Sequence, residues 1–194
     1  MPEHKAWHGP PLRTLPGRLS ETLVLAHTDR VAVAVTALAA YPTGFTFDLE
    51  TVPRRYDPRE WAGLDHFGFH HGIGTHGEIP PELLRFGVEF ADGGRATSLD
   101  APTRGHQPET APTPPVLSAR GGGGGGGRWR HDTWVWPLPP PGPLAFVCEW
   151  PALDIALTRI EIDAEALHRA ATRSRLLWHG PGDAPPGGGR GAAC

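Results

Sequence analysis

Apolar and polar side chains alternate along several short stretches of the chain, and this pattern predicts a β-rich fold. The clearest alternation is in residues 45–50, where two phenylalanines and a leucine are separated by Thr, Asp and Glu. Because successive side chains of a strand point to opposite faces, such a segment would bury one face and expose the other to water. Similar patterns predict strands at residues 22–26, 31–39, 84–90, 95–99, 116–120 and 158–163.

An aromatic stretch at residues 129–151 contains four of the seven tryptophans, in two alternating apolar runs. Residues 139–143 between the runs are proline and glycine only. Prolines cannot donate to a β-ladder, so this connection would be stiff and unpaired. We therefore predict two strands that pair with each other. Large aromatic residues such as Trp134, Trp136 and Trp150 usually build a core, although Trp134 and Trp136 on one face can also form a platform for a sugar or a peptide.

About eight short strands followed by one helix predict a mainly β fold, specifically an antiparallel Ig-like β-sandwich with a short C-terminal helix. The helix is predicted over residues 164–178, because Asp163 is a favourable N-cap and Glu165 suits the first turn. A single domain would span residues 19–178.

Long loops and tails are expected where the alternation stops. The loops are predicted at residues 53–81 and 101–128, and the second includes seven consecutive glycines, 121–127, that cannot hold a fixed conformation alone. We therefore predict a flexible glycine-rich loop there. Residues 1–18 and 179–194 are rich in proline and glycine and are predicted to be disordered tails.

Composition and charge bear on nucleic-acid binding, membrane association and secretion. The net charge of -3 gives no general attraction to nucleic acid or to an anionic membrane. No apolar run approaches the roughly 20 residues that a membrane-spanning helix needs, and the N-terminus lacks the apolar region of a secretory signal. Two cysteines, Cys148 and Cys194, do not form a disulfide framework. We expect a cytoplasmic protein without a membrane partner.

A histidine-rich segment at residues 65–78 is the sharpest chemical cluster. Neutral imidazole is the commonest metal ligand, so the segment can supply a Zn²⁺ or Ni²⁺ site. The spacing matches no HExxH motif and includes no cysteine, so we favour the interpretation that the segment is a solvated loop rich in histidine. The candidate ligands are the histidines His66, His70, His71 and His76, with Asp65 or Glu78.

Other patterns indicate little catalytic chemistry. Residues 72–77 match GxGxxG, but proline rather than a helix follows, so we interpret the match as chance. No serine lies in a GxSxG motif, and Cys148 on an apolar strand is expected to be a buried hydrophobe. Residues 120–130 resemble an RGG-like element for single-stranded nucleic acid, but the chain is net negative. Acid–base catalysis needs a pair of carboxylates held close together. The candidates for such a pair are Glu149, Asp154, Glu161 and Asp163.

Four segments carry a resemblance to known proteins. They are AYPTGF (residues 40–45), LRFGVEFADG (residues 84–93), the glycine run and WVWPLPPPGPLAFVCEWP (residues 134–151). Together they resemble a group of uncharacterised actinobacterial proteins, and the similarity covers about residues 19–163. The resemblance implies an actinobacterial source and a shared fold. It implies no activity, cofactor or functional residue.

These patterns together favour a non-catalytic binding or interaction module, which would bind a protein or a small-molecule ligand through loops at one end of the sandwich. We expect no cofactor. The alternative is a metal-dependent enzyme that uses the histidine-rich segment. A nucleic-acid-associated protein that uses residues 120–130 is a further, less favoured alternative.

Overall fold

A computed structural model describes residues 5–62, 64, 79–100 and 109–178 of the chain. The protein is mainly β, with antiparallel sheets and a short helix, which confirms the fold class at that level. The strands are β1 (Thr14–Leu15), β2 (Gly17–Arg18), β3 (Leu23–His27), β4 (Val31–Tyr41), β5 (Gly44–Pro53), β6 (Arg85–Glu89), β7 (Arg95–Thr97), β8 (Val116–Gly125), β9 (Arg128–Trp136), β10 (Pro143–Trp150), β11 (Ile155–Asp163) and β12 (Arg175–Leu176). The helices are α1 (Pro58–Trp61) and α2 (Ala164–Ala171).

The larger sheet is built around β5. Within the described residues its order is β2, β4, β5, β9, β8, and β3 also pairs with β4. The apolar residues of β5, Phe45, Phe47 and Leu49, are buried in the core. Asp48 and Glu50 lie on the opposite face, where they meet arginines of β9. The alternation therefore predicted the apolar face of this strand correctly. The polar face is less exposed than predicted, because Thr46 is buried and the side chains of Asp48 and Glu50 are only 15% and 14% exposed.

The smaller sheet has the order β11, β10, β6, β7, and β1 pairs separately with β12. Aromatic rings of β5 meet rings of β6 and β10 edge to face, with centroids of Phe47 and Phe146 5.3 Å apart and those of Phe47 and Phe86 6.4 Å apart. Each such pair contributes about 0.5–1.5 kcal/mol beyond its buried area. The core thus lies between the two sheets.

The predicted pairing of the two aromatic runs is wrong. β9 pairs with β5 and β8 in the larger sheet, whereas β10 pairs with β6 and β11 in the smaller one. The connection between them, residues 137–142, contains four prolines. Because this segment is stiff and has few backbone donors, it carries the chain from one sheet to the other instead of folding it back as a hairpin.

The prediction of a loop through the glycine run is also wrong for the part that β8 covers. Gly121–Gly125 continue β8 and pair with β9 residue by residue, down to Gly125 opposite Arg128. Backbone pairing needs no side chain, so β9 can hold the glycines in an extended conformation. The ring of Trp129 in β9 lies against Gly124, where a side chain would not fit.

Residues 5–18 were predicted to belong to a disordered tail, but the structure packs them against the larger sheet. The indole N–H of Trp134 donates to the carbonyl of Ala6 at 3.1 Å, and the ring of Trp7 lies 5.9 Å from that of Trp136. A buried tryptophan needs an acceptor for its N–H, and this segment supplies it. β1 and β2 then pair with β12 and β4.

The C-terminal helix begins as predicted but is shorter. The Asp163 carboxylate accepts the N–H of Glu165 at 3.0 Å, which is the predicted N-cap. α2 then ends at Ala171, and Arg175–Leu176 pair with β1 instead of continuing the helix. The 179–194 tail prediction lies outside the described residues. Across the ranges given above, no helix is long and apolar enough to cross a membrane.

Candidate functional site

A cavity of about 420 Å³ lies at one end of the sheets, between the β3–β4 turn and the segment that follows β5. Six residues line it: Asp29, Arg30, Arg54, Arg55, Glu60 and Trp61. All except Trp61 are exposed, so the cavity is open to solvent and polar on most sides. We consider it the candidate functional site, because it gathers several charged groups from separate loops into one concave surface.

The two loops that supply the arginines are joined through their backbones. In the β3–β4 turn, the hydroxyl of Thr28 accepts the N–H of Arg30 at 3.2 Å and that of Val31 at 3.3 Å. The N–H of Arg54 donates to the carbonyl of Arg30 at 2.8 Å. Hydroxyl-to-backbone bonds of this kind fix a turn locally. The cavity therefore rests on a hydrogen-bonded framework although its side chains are exposed.

The apolar wall of the cavity is Trp61, at the end of α1. Asp57 caps this helix by accepting the N–H of Arg59 at 2.8 Å, and Pro58 stands at its first position. The ring of Trp61 stacks on Trp129 with centroids 5.1 Å apart and an interplanar angle of 13°. Trp61 is 6% exposed and thus anchors the cavity to the core.

Arginine dominates the charge of the cavity. Arg54 forms an ion pair with Asp29 at 3.0 Å, and the guanidinium of Arg30 donates to the carbonyl of Ala152 at 2.9 Å. In the described part of the chain, Arg55 forms no ion pair. Three arginines and two carboxylates therefore line the cavity, and among the described residues Arg54 has an ion pair whereas Arg30 and Arg55 have none.

No protein-family model matches the chain, and neither a curated protein nor a solved structure matches it. The function of the cavity is therefore inferred from its own residues. A guanidinium group stays protonated and presents N–H donors in a planar fork that fits a carboxylate or a phosphate. It cannot accept a proton. The arginines of the cavity are thus suited to holding an oxyanion rather than to transferring protons.

The predicted metal ligands His66, His70, His71 and His76, with Asp65 and Glu78, lie outside the described residues, as does the GxGxxG match. Among the residues that are described, no group of three or more His, Cys, Asp or Glu side chains is close enough to hold a metal ion. The metal-site hypothesis remains a prediction.

Cys148 is buried, as predicted. It is 1% exposed, burial raises the pKa of its thiol above the usual value, and the hydroxyl of Thr158 lies 3.2 Å from its sulfur. A neutral, buried thiol is a poor nucleophile.

The prediction of an aromatic platform formed by Trp134 and Trp136 is wrong for Trp134, because that side chain is fully buried. Trp136 is half-buried and lies against the ring of Trp7.

The arginines of the RGG-like element each face a carboxylate on the outer face of the larger sheet. Arg120 lies 3.4 Å from Asp132, Arg130 lies 3.7 Å from Asp48, and Arg128 pairs with Glu50. These carboxylates offset the positive charge that binding to phosphates requires.

The four carboxylates considered for acid–base chemistry have separate structural roles. Glu149 forms an ion pair with Arg85 at 2.8 Å, Glu161 pairs with Arg159, and Asp163 caps α2. Asp154 ends the 3₁₀ turn Pro151–Leu153 in a left-handed conformation. The register of β10 and β11 places Glu161 and Asp163 beside Ala145 and Pro143, near the opposite end of β10 from Glu149.

The sequence did not reveal a carboxylate pair on the outer face of the larger sheet. Asp48 and Asp132 are direct partners in the β5–β9 register. Burial raises the pKa of Asp48 above its usual value, Arg130 lowers it, and Asp132 and Glu50 raise it further. The alternation placed Asp48 on the polar face, but only the pairing of β5 with β9 brings the second carboxylate beside it.

The stability of the Asp48→Asn variant relative to the wild type is expected to increase as pH rises. A raised pKa in the folded state means that Asp48 contributes stability below its unfolded pKa, near 4, and that this contribution is lost as pH rises through the folded value. The gain at pH 7 should stay below about 1 kcal/mol, since Arg130 offsets part of the burial cost. Urea unfolding of both proteins at pH 4 and pH 7 measures it. A variant whose relative stability falls with pH would show that attraction to Arg130 dominates.

Proposed function

We propose that the protein is a non-catalytic binding module that takes an oxyanion ligand, a carboxylate or a phosphate group, in the cavity lined by Arg30, Arg54 and Arg55. The observation that carries the proposal is that three arginines from two loops line one cavity of about 420 Å³. The domain would be Ig-like in the sense that loops at one end of two packed sheets form the binding surface.

The size and lining of the cavity support a small ligand. Pockets for small molecules have volumes of about 300–1,000 Å³ and combine an apolar wall with a few polar groups. Trp61 supplies that wall, and the arginines supply the donors. Guanidinium-to-oxyanion hydrogen bonds are charge-assisted and about twice as strong as neutral ones. Arg55 is central to the proposal, because its charge has no carboxylate partner among the residues described.

Arg55→Gln is expected to raise the Kd for inorganic phosphate by about tenfold or more, since it removes one charge-assisted contact of about 1.5–3 kcal/mol. Isothermal titration calorimetry with phosphate in low-salt buffer measures the Kd. Binding by the wild type should weaken as NaCl is added, because salt screens exposed charges. Citrate serves as the carboxylate probe and should compete with phosphate.

Arg59→Gln is the matched control. Arg59 lies on α1 and is exposed, but it does not line the cavity. Its loss changes the net charge of the protein equally and should leave the Kd within about twofold. If Arg55→Gln and Arg59→Gln weaken binding to the same extent, the attraction is a general effect of charge and the proposed site is wrong. Lack of saturable binding of either probe would also reject it.

A further inference from the structure

The two-stranded sheet of β1 and β12 carries exposed apolar side chains on both of its faces. Residues that are partners in an antiparallel pair point to the same face, and the next pair points to the opposite face. Leu176 is the partner of Thr14. Leu15 is the partner of Arg175 in the next pair, so the two leucines lie on opposite faces. Both leucines are exposed.

We call residues 12–15 and 175–178, which include this sheet, the ribbon. Half of the large apolar side chains that are exposed in the described part of the chain belong to it. At its two ends, Leu12 is 83% and Trp178 is 63% exposed. Single exposed apolar residues are ordinary, but a contiguous group of them marks a surface that binds a protein or a membrane. The ribbon is therefore a candidate interaction surface.

Arginines surround the ribbon. Arg173 joins it to the body of the protein, since its guanidinium donates to the carbonyls of Arg18 at 2.8 Å and of Arg169 at 3.1 Å. The same three arginines line a cavity of about 150 Å³, with Glu21 as the one carboxylate of that lining. Five exposed arginines in or beside the ribbon form no ion pair with any other described residue: Arg13, Arg18, Arg169, Arg173 and Arg175.

Charge and shape together favour one kind of occupant. Arginines without ion pairs attract an anionic surface, and they oppose a twofold contact with a second copy of the chain, which would bring like charges together. A folded protein covers one face of a ribbon, whereas lipid can surround both faces. Tryptophan is enriched at the membrane–water interface, and arginine can bury its aliphatic stem there while its guanidinium stays among polar groups. A lipid surface therefore fits the ribbon better than a folded partner does.

We propose that the ribbon docks on an anionic lipid bilayer, with Leu15, Leu176 and Trp178 in the interface and the arginines against lipid phosphates. Such docking combines burial of apolar side chains with attraction to anionic lipids. It requires no membrane-spanning helix. The net charge of -3, which argued against a membrane partner, averages over the whole chain, whereas docking depends on the charge that faces the bilayer. The ribbon shares no residue with the arginine-lined cavity beside Trp61.

Co-sedimentation of the full chain with lipid vesicles tests the proposal. Vesicles that contain about one-third phosphatidylglycerol should bind the protein about tenfold or more tightly than vesicles of phosphatidylcholine alone, and NaCl should weaken this binding. Arg175→Gln should weaken it about fivefold, the effect of one basic residue near an anionic surface. Arg59→Gln is the matched control, because Arg59 is exposed on α1, outside the ribbon. Equal binding to both kinds of vesicle, or equal effects of the two variants, would overturn the proposal.

Leu15→Asn and Leu176→Asn test whether both faces of the ribbon contact lipid, and each should weaken vesicle binding about fivefold. Leu157→Asn, at a leucine that is exposed on β11, is the matched control and should leave binding unchanged. Melting temperatures should change by no more than a few degrees. If a leucine variant melts early, Trp178→Ala serves in its place. An effect from one face only, or binding of soluble polyglutamate without binding of vesicles, would show that an acidic protein occupies the ribbon and that the proposal is wrong.

Discussion

Trp150→Ala is expected to lower the free energy of unfolding by about 3–5 kcal/mol, the usual cost of deleting a buried tryptophan side chain. Trp150 is fully buried at the end of β10, and its ring meets that of Trp61 edge to face at 6.1 Å. Its indole N–H donates to the carbonyl of Glu82 at 2.8 Å. Truncation therefore leaves a cavity in the core and an acceptor without its donor. Urea unfolding followed by circular dichroism measures the loss.

Two further variants separate the contributions. Trp150→Phe keeps an aromatic ring but removes the hydrogen bond to Glu82, and we expect a smaller loss, about 1–2 kcal/mol. Trp178→Ala changes a tryptophan that is 63% exposed and should cost less than about 0.5 kcal/mol. A loss below about 1 kcal/mol for Trp150→Ala would contradict the burial of this side chain. Because Trp61 also lines the arginine-lined cavity, Trp150→Ala should weaken phosphate binding as well.

The strands could be predicted from the sequence because their signal is local. Alternation in residues 45–50 reflects the direction of successive side chains in one strand, and β5 has the predicted apolar face. Pairing is not local. β9 and β10 are neighbours along the chain and both contain large aromatic residues, but β9 pairs with β5 and β10 with β6. Nothing in the alternation of either strand specifies its partner.

The candidate site could not be predicted for the same reason. Arg30 and Arg54 are far apart in sequence, and the hydrogen bond between their backbones exists only because β4 pairs with β5. A cluster within one segment, such as the histidines at residues 65–78, is visible in a sequence, whereas residues brought together by a sheet are not.

Gly124→Ala is expected to lower the free energy of unfolding by about 1–3 kcal/mol, the range for overpacking a well-packed contact. A Cβ at this position would lie 2.2 Å from Cδ1 and 2.7 Å from Cγ of Trp129. That ring cannot move aside freely, because it stacks on Trp61 and meets Tyr56 at 5.5 Å. The added methyl group must therefore displace the ring or the strand. Tryptophan fluorescence during urea unfolding reports both the stability and the change around Trp129.

Gly123→Ala is the control that makes this test decisive. Gly123 is the preceding residue in β8 and faces the opposite side of the sheet, where no described atom lies within 4 Å of the added Cβ. Substitution there should be neutral, or stabilising by up to about 1 kcal/mol, because alanine has less conformational freedom than glycine in the unfolded chain. A flexible loop would respond similarly at both positions. Opposite effects at two adjacent glycines require side chains that alternate between faces, and so require that this part of the glycine run is a strand with Trp129 packed on one side.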